Sequence, residues 1–549
     1  LLVDNFRPLS GFANYLQNLI KVYPNVLFIA VGEDNCSTSY EISRLELGDH
    51  GCGVLYFHDL RRREIIQYTD QQLSNVINRT EVQERIIKLC KQMELPYNYW
   101  TISLFLLIHH KSSDTYSKNL FSILDVCVDE IFGKKKLLLM KSQVTFDQLK
   151  SICASLAAYL FEYHESTVYS ATEEEILSFL DKTFEDNVRI IITPMAVFQF
   201  YVACGMLKLC ENNRYTFRLN GFFEYFLACH MTKSESFRDK VLGDDKLYLG
   251  FKNQLEIYSG LKHNDSAFLQ YVYQKTKDRC SPIFNQYDEN KDKELLNKLA
   301  LPNLLSERCK RISIKNALSS TQRAEVEDIA DGDASELKSE VHLIVQYDPN
   351  QLSVDLIGRY LMILARVFKN IDEINDTNIS GAEIFSNIIS YYCDYSFYLI
   401  EELSAKAEAG IDENDFSTGD DFVAELELLK LLSNFSPLIT QMEVFDGLGH
   451  YTIIRLVKEE IERLKLDSDN NQYKLFILYF LLCDLTLEGS EDIIEDAIRT
   501  ITKLPILRYM MLLKLNYYLA FRSEDNLPLQ QFLAKKIREV KLLLDNKTD

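Results

Sequence analysis

The chain is short of the residues that break regular structure. Nineteen glycines and ten prolines among 549 residues leave little material for the turns of a β-rich fold and favour long helices. It is also short of positive charge: 60 lysines and arginines stand against 81 aspartates and glutamates, a net charge of −21. Phosphate contacts need clustered cations, so this region is not expected to bind nucleic acid. No Cys-x-x-Cys pair occurs. The twelve cysteines are scattered from Cys36 to Cys483, the pattern of buried free thiols in a reducing cytoplasm rather than of a disulfide framework or a zinc site. Cys229-His230 has no neighbour at ligand spacing, so no metal held directly by protein ligands is expected. Long apolar runs are missing as well. Ile190–Leu209 is interrupted by Thr193, Pro194 and Gln199, and Leu475–Cys483 is too short to cross a bilayer, so no membrane partner is expected. There is no Gly-x-x-x-x-Gly-Lys-Ser/Thr loop, no His-Glu-x-x-His and no nucleophile–base grouping. The chain opens Leu-Leu-Val-Asp without a methionine and reads as a piece of a longer protein.

What is present is a globular composition, with 47% hydrophobic and 26% charged residues. The length exceeds one core and implies about three or four domains. The expected fold class is mainly α, with the remnant of a parallel α/β sheet at the N-terminus. Leu1-Leu2-Val3-Asp4 reads as a buried strand ending in an acid. A helix over Gly11–Val22 and apolar strands at Val26–Val31 and Val54–Phe57 follow. Strand, helix, strand with continuous apolar strands is the pattern of a parallel sheet, and an acid at a strand's carboxyl end lies at the ligand edge. In a P-loop NTPase such an acid is the Walker B residue, which holds Mg²⁺ through water. Asp4 takes that place. No phosphate-cradling loop lies within the chain, so one is expected upstream of Leu1.

Arg61-Arg62-Arg63 opens a helix to about Gln72, either a solvated face or, through Arg63, an approach to phosphate. Helices around Ile86–Cys90 and Trp100–His109 flank Leu95-Pro96, where the proline ends a helix. Lys118–Lys134, Thr145–His164, Thr172–Phe184 and Met195–Cys210 read as further helices. From Phe226 onward the pattern is helical almost throughout. Ser319–Leu337 is polar and acidic, a flexible linker or exposed loop. Past Asp348, apolar faces recur at Leu352–Phe368, Ile384–Leu403, Phe422–Leu432, Tyr451–Leu464, Tyr473–Leu487, Ile493–Ile501, Ile506–Phe521 and Leu527–Leu544. Polar breaks separate them, the arrangement of an α-solenoid without a fixed period. The aromatic group Tyr391, Tyr392, Tyr395, Phe397 and Tyr398 has the spacing of core side chains.

The most informative stretch is Tyr215–Met231. Tyr215, Phe217 and Leu219 alternate with Thr216 and Arg218 as in a strand. Asn220-Gly221 breaks it, and a helix rich in phenylalanine follows. On the residues alone this is an ordinary core element. Phe217 with Glu224-Tyr225-Phe226-Leu227-Ala228, however, resembles the end of the winged-helix domain in STAND NTPases of the NACHT and NLR-like type, in their bacterial antiviral branch. The resemblance covers roughly residues 1–280.

The resemblance implies a particular domain order. Residues 1–75 would be the C-terminal part of the NTPase domain, 76–140 a first helical subdomain, 141–231 a winged helix and 232–318 a helical arm. Residues 319–350 would be an acidic linker or loop, and 351–549 a helical-repeat sensor region. It also implies ATP or ADP with magnesium as cofactor, with Asp4 as the catalytic Walker B-like acid. Pro96 would pack on adenine, and Arg63 and Arg218 would approach phosphate, although a solvated role for each arginine stays open. Arg7 stands where relatives carry a second acid, and Leu219 where many carry a nucleotide-sensing histidine. The implied protein binds nucleotide with slow or absent hydrolysis. The winged helix, lacking a basic recognition helix, serves as a latch. The implied function is a nucleotide-gated ATPase of antiphage defence. It would recognise a target protein, plausibly from a phage, through residues 351–549, oligomerise, and activate an upstream effector domain. A helical protein-binding scaffold without nucleotide chemistry is the other reading.

Overall fold

The computed structural model describes residues 2–3, 11–31, 59–73, 79–92, 95–111, 120–134, 144–163, 169–185, 192–284, 286–287, 289–299, 316–331, 341–348, 353–372, 374, 379–409, 420–487, 489–523 and 526–545. Helices dominate, and the chain divides into two compact units. One comprises residues 1–113, 123–230 and 333–343; the other comprises 114–122, 231–332 and 344–549.

The first unit opens with β1 (Leu2–Val3), α1 (Gly11–Val22) and β2 (Ile29–Ala30). The two strands pair in parallel, Leu2 opposite Ile29 and Val3 opposite Ala30. This is the strand–helix–strand expected from the apolar runs, with β2 shorter than Val26–Val31. The third expected strand, Val54–Phe57, lies outside the described residues. Helix α2 (Arg62–Gln72) starts within the arginine run and buries Ile65, Ile66 and Thr69. Helices α3 (Arg79–Gln92) and α4 (Tyr99–Lys111) flank the Pro96 turn.

Helices α5 (Leu120–Lys134) and α6 (Phe146–Glu162) are followed by a small sheet and its helices. In chain order these are β3 (Ala171–Thr172), α7 (Glu173–Glu185), α8 (Pro194–Ala203), β4 (Leu207–Leu209) and β5 (Arg214–Phe217). The sheet is antiparallel with spatial order β3-β5-β4. Asn212 and Asn213, both with positive φ, close the β4–β5 connection, a conformation that asparagine tolerates well. Phe132 of α5 shares one aromatic core with Phe200 and Tyr201 of α8, at ring separations of 5.3 and 6.2 Å.

One expectation needs correction here. The helix expected over Met195–Cys210 stops at Ala203. Gly205 takes φ +72°, its N–H donates to the Val202 carbonyl, and the Met206 N–H donates to the Tyr201 carbonyl at 2.9 Å. That double return is the glycine-dependent helix stop, and it frees Leu207–Leu209 to be a strand. Thr216 lies on the face of β5 opposite Phe217, and that face too is covered. β5 is the central strand, so Thr216 is buried and its hydroxyl donates to the Tyr169 carbonyl at 2.8 Å. The strand ends at Phe217, and Leu219 is buried on the way into α9 (Asn220–Met231).

The second unit is helical. It begins with α10 (Glu235–Gly243), α11 (Asp245–Gly250), α12 (Lys252–Leu261), α13 (Ser266–Phe284) and α14 (Glu289–Lys298). The stretch expected as an acidic linker or loop contains a helix, α15 (Ser320–Asp331). It is anchored: Leu318 N–H donates to the Ala520 carbonyl, and the buried Arg323 donates to the Phe521 carbonyl at 3.1 Å. The remaining helices are α16 (Val354–Asn370), α17 (Gly381–Ala409), α18 (Asp420–Leu448), α19 (Ile454–Lys465), α20 (Gln472–Leu485), α21 (Glu491–Thr500), α22 (Pro505–Tyr517) and α23 (Leu527–Asp545). They match the eight apolar segments closely, and Tyr392, Tyr395 and Phe397 are buried as core residues.

The exception is α18, which runs sixteen residues past the expected Leu432 and through Pro437. A proline removes the N–H that would serve the carbonyl four residues back. Here the Ser436 hydroxyl donates to that Ser433 carbonyl at 2.6 Å, so the helix continues without an orphaned acceptor.

Candidate functional site

The motif stretch forms β5 and α9. Phe217, Phe222, Phe223 and Phe226 are fully buried. Phe223 stacks on Tyr169 at 5.2 Å and packs against Phe217 at 5.5 Å. The helix therefore closes the open face of the sheet, which is why the strand turns so directly into it.

Tyr225 does something different. Its hydroxyl donates to Asp125 Oδ1 at 2.5 Å. The same oxygen accepts from Lys150 Nζ at 2.6 Å, and Lys150 also reaches Asp129 at 2.9 Å. One carboxylate on α5 thus ties α9 and α6 together. Burial alone pulls the Lys150 ammonium down, but its hydrogen bonds to Asp125 and Asp129 outweigh that and leave it above the ordinary lysine value. Burial pushes the Tyr225 phenol up, and the neighbouring Cys229 and Asp125 push the same way. The phenol stays protonated, as a donor must.

The expected nucleotide residues are distributed as follows. Asp4 and Arg7 lie outside the described residues. Pro96 is buried in the α3–α4 turn, where the Asn98 N–H donates to its carbonyl at 2.9 Å and Asn98 Oδ1 accepts from the Thr101 N–H. Arg63 is exposed in the first turn of α2, while its neighbour Arg62 pairs with Glu84 of α3 at 3.0 Å. The Leu60 N–H donates to the Tyr97 carbonyl, so the entry to α2 and the Pro96 turn meet at the backbone. Arg218 is exposed just past β5 and belongs to the sheet. Its guanidinium lies 3.5 Å from where a side chain on Gly205 would begin.

Sequence reasoning missed two acids beside these positions. Asp59, half-buried before α2, is raised by burial and partly relieved by a hydrogen bond from the Tyr97 backbone. It follows the apolar run Val54–Phe57, the same signal that singled out Asp4. Asp125 carried no signal, because its partners are 25 and 100 residues away. Among the described residues no group of three His, Cys, Asp or Glu side chains can hold a metal ion. None of the described helices is long and apolar enough to cross a membrane.

The second unit holds a buried ionic centre of its own. Arg366 of α16 bridges Glu256 of α12 and Asp446 of α18, both at 2.9 Å, and Lys369 adds a second cation to Glu256 at 2.8 Å. Burial alone raises the Glu256 carboxyl, but Lys369 and Arg366 outweigh it and hold it below the ordinary value. Glu443, one turn before Asp446, has no such cation among the described residues. Burial and the Asp446 charge push it up to about 7. Nearby, a cavity of about 250 Å³ opens beside the start of α20, floored by Cys393, Phe397 and Tyr473 and rimmed by Lys474 and Lys503. Gln472 fixes its wall. Its amide donates to the Ser468 and Thr500 carbonyls at 2.8 and 2.9 Å and accepts from the Thr502 and Lys503 N–H groups at 2.9 and 3.2 Å.

No family model, no curated protein and no solved structure matches the chain.

Proposed function

We propose that the chain is the C-terminal portion of a nucleotide-gated, signal-sensing STAND ATPase of the NACHT and NLR-like type, acting in bacterial antiviral defence. One observation carries this reading. The order α6–β3–α7–α8–β4–β5, with β5 central, is the order of a winged helix. It runs straight into the Phe-Phe-Glu-Tyr-Phe helix that the resemblance places there. The parallel β1–α1–β2 unit supports an NTPase sheet upstream, and the helices after residue 351 support a sensor region.

In this reading, residues of the sheet, the first helical subdomain and the winged helix would hold nucleotide with magnesium. Asp4 would help hold the metal, Pro96 would pack on the base, and Arg63 and Arg218 would approach phosphate. Both arginines are exposed enough to do so. A target protein binds the C-terminal helices and favours an open form, which self-associates and brings upstream effector domains together. Arg7 in place of a second acid makes hydrolysis slow or absent.

The test is the nucleotide content and mass of the natural full-length gene product, as wild type and as Asp4→Ala. Co-purified ADP or ATP, with assembly impaired by the substitution, supports the reading. Absence of nucleotide, with no effect of the substitution, overturns it. A helical scaffold without nucleotide chemistry is then the better account, and the burial of Pro96 is the observation that favours it.

A further inference from the structure

The cavity at the start of α20 has a fixed aromatic floor and a rim whose charges do not balance. Phe397 of α17 stands between Tyr287 and Tyr473, at ring separations of 5.7 and 5.6 Å. The Tyr473 hydroxyl donates to Ser396 and the Tyr287 hydroxyl to Glu401, both at 2.7 Å, which holds the two outer rings in place. Leu296 of α14 and Leu504 ahead of α22 are buried at the sides. The floor is therefore formed before any ligand arrives, as is usual for small-molecule sites.

Size narrows the occupant. A cavity of about 250 Å³ lies just below the range of about 300–1,000 Å³ that holds drug-sized ligands. It takes one ring or two fused rings. A nucleoside triphosphate or a peptide helix is too large.

The rim selects the charge. Lys474 is half-buried, and among the described residues no hydrogen bond or ion pair holds its ammonium. Glu460 of α19, an acid that its charge reaches, is already taken by Arg463 through two bonds of 2.8 and 2.6 Å. Lys503 meets Asp469 at 3.4 Å, with both side chains more than half exposed, a pair that contributes little and opens readily. The start of α20 is uncapped, because the Asn471 side chain turns back to the Asp467 carbonyl at 2.8 Å, and its partial positive charge adds to that of the lysines. Two ammoniums and one carboxylate leave the rim one positive charge in excess. A monoanion balances it, a neutral ring leaves Lys474 as it stands, and a cation is repelled.

We propose that this cavity binds a small aromatic carboxylate of one or two rings. Its ring lies on Phe397 and Tyr473, and its carboxylate pairs with Lys474 and takes Lys503 from Asp469. The site belongs wholly to the second unit and uses none of the residues expected to hold nucleotide. It goes beyond the proposed function and stands if that function fails.

The probes are benzoate, 2-naphthoate and indole-3-acetate, titrated onto the full chain by saturation-transfer NMR and calorimetry, with 2-naphthamide as the neutral twin. At least one carboxylate should bind, and 2-naphthamide should bind about tenfold or more weakly than 2-naphthoate, the loss of one charge-assisted contact. Lys474→Gln should weaken the carboxylate by about tenfold or more and leave the amide unchanged, a split that a merely structural lysine would not produce. Lys503→Gln, at an exposed position, repeats that test should Lys474→Gln fail to fold. Asn297→Trp, at the exposed edge of the cavity, should block both ligands by bulk. Lys458→Gln, on an exposed lysine of α19, should change neither. Thermal unfolding of each variant shows that it still folds. Binding of none of the three carboxylates, equal binding of 2-naphthamide, or binding indifferent to the lysine and Asn297 substitutions overturns the proposal. So does displacement of 2-naphthoate by ADP, which would make the cavity a nucleotide site. Nucleotide content of the full-length protein is measured separately, so either reading can fail alone.

Discussion

Asp125 receives both a phenol and an ammonium on one oxygen. Asp125→Ala leaves the Tyr225 hydroxyl without its acceptor and Lys150 with Asp129 alone. The expected cost is about 1–2 kcal/mol, tempered by the partial exposure of Asp125; denaturant unfolding measures it. The two glutamates of the second unit titrate in opposite senses. Glu443 sits above its ordinary value of 4.5, at about 7. A raised carboxyl contributes stability that is full below 4.5 and lost as pH rises through about 7. Wild type should therefore lose stability between about pH 4.5 and about pH 7, by up to about 3 kcal/mol in all, with little further loss above that, and Glu443→Gln should flatten that slope. Glu256 is held low, so its contribution is present above 4.5 and disappears as pH falls through its folded value. Glu256→Gln should leave two buried cations short of charge, costing about 3–5 kcal/mol, and reduce the loss of stability in acid. None of these roles was readable in the sequence. Each depends on partners far along the chain, and a lone Asp or Glu in a helical pattern looks like a solvated face.

Elements were more legible than side chains. The 3.6-residue apolar period alone located seven of the eight helices beyond residue 351, their ends off by at most six positions, because each must bury one face. It failed where one residue outweighed the period. Gly205 stops α8, and Ser436 carries α18 past Pro437. Both signals were present in the sequence, but one required seeing that glycine was placed for a left-handed turn. The other required seeing that a serine stood beside the proline. Gly205→Ala should cost about 1 kcal/mol or more through its positive φ, since the space beside it is open to ordinary contact. Ser436→Ala should orphan the Ser433 carbonyl and destabilise by about 1–3 kcal/mol. Thermal unfolding checks both.

At the scale of the whole molecule, two units with separate cores should unfold as two transitions. Calorimetry of the full chain should show Asp125→Ala shifting one transition and Glu256→Gln the other, with additive effects in the double variant. A single transition moved by both would mean one cooperative body. The same separation matters for switching. Moving a population from about 1% to about 99% open takes about 5.5 kcal/mol of differential binding.

Gln472 bears on how kin of this chain can be recognised. Its amide gives two hydrogen bonds and takes two, all to backbone. Glutamate cannot give, leucine can do neither, and asparagine is one methylene short of the reach. Any sequence that builds this corner must keep an amide of that length there, whatever its neighbours become. A glutamine at the head of an apolar helix, answered some thirty residues later by the turn before a proline-led helix, is a tag that can outlast ordinary similarity.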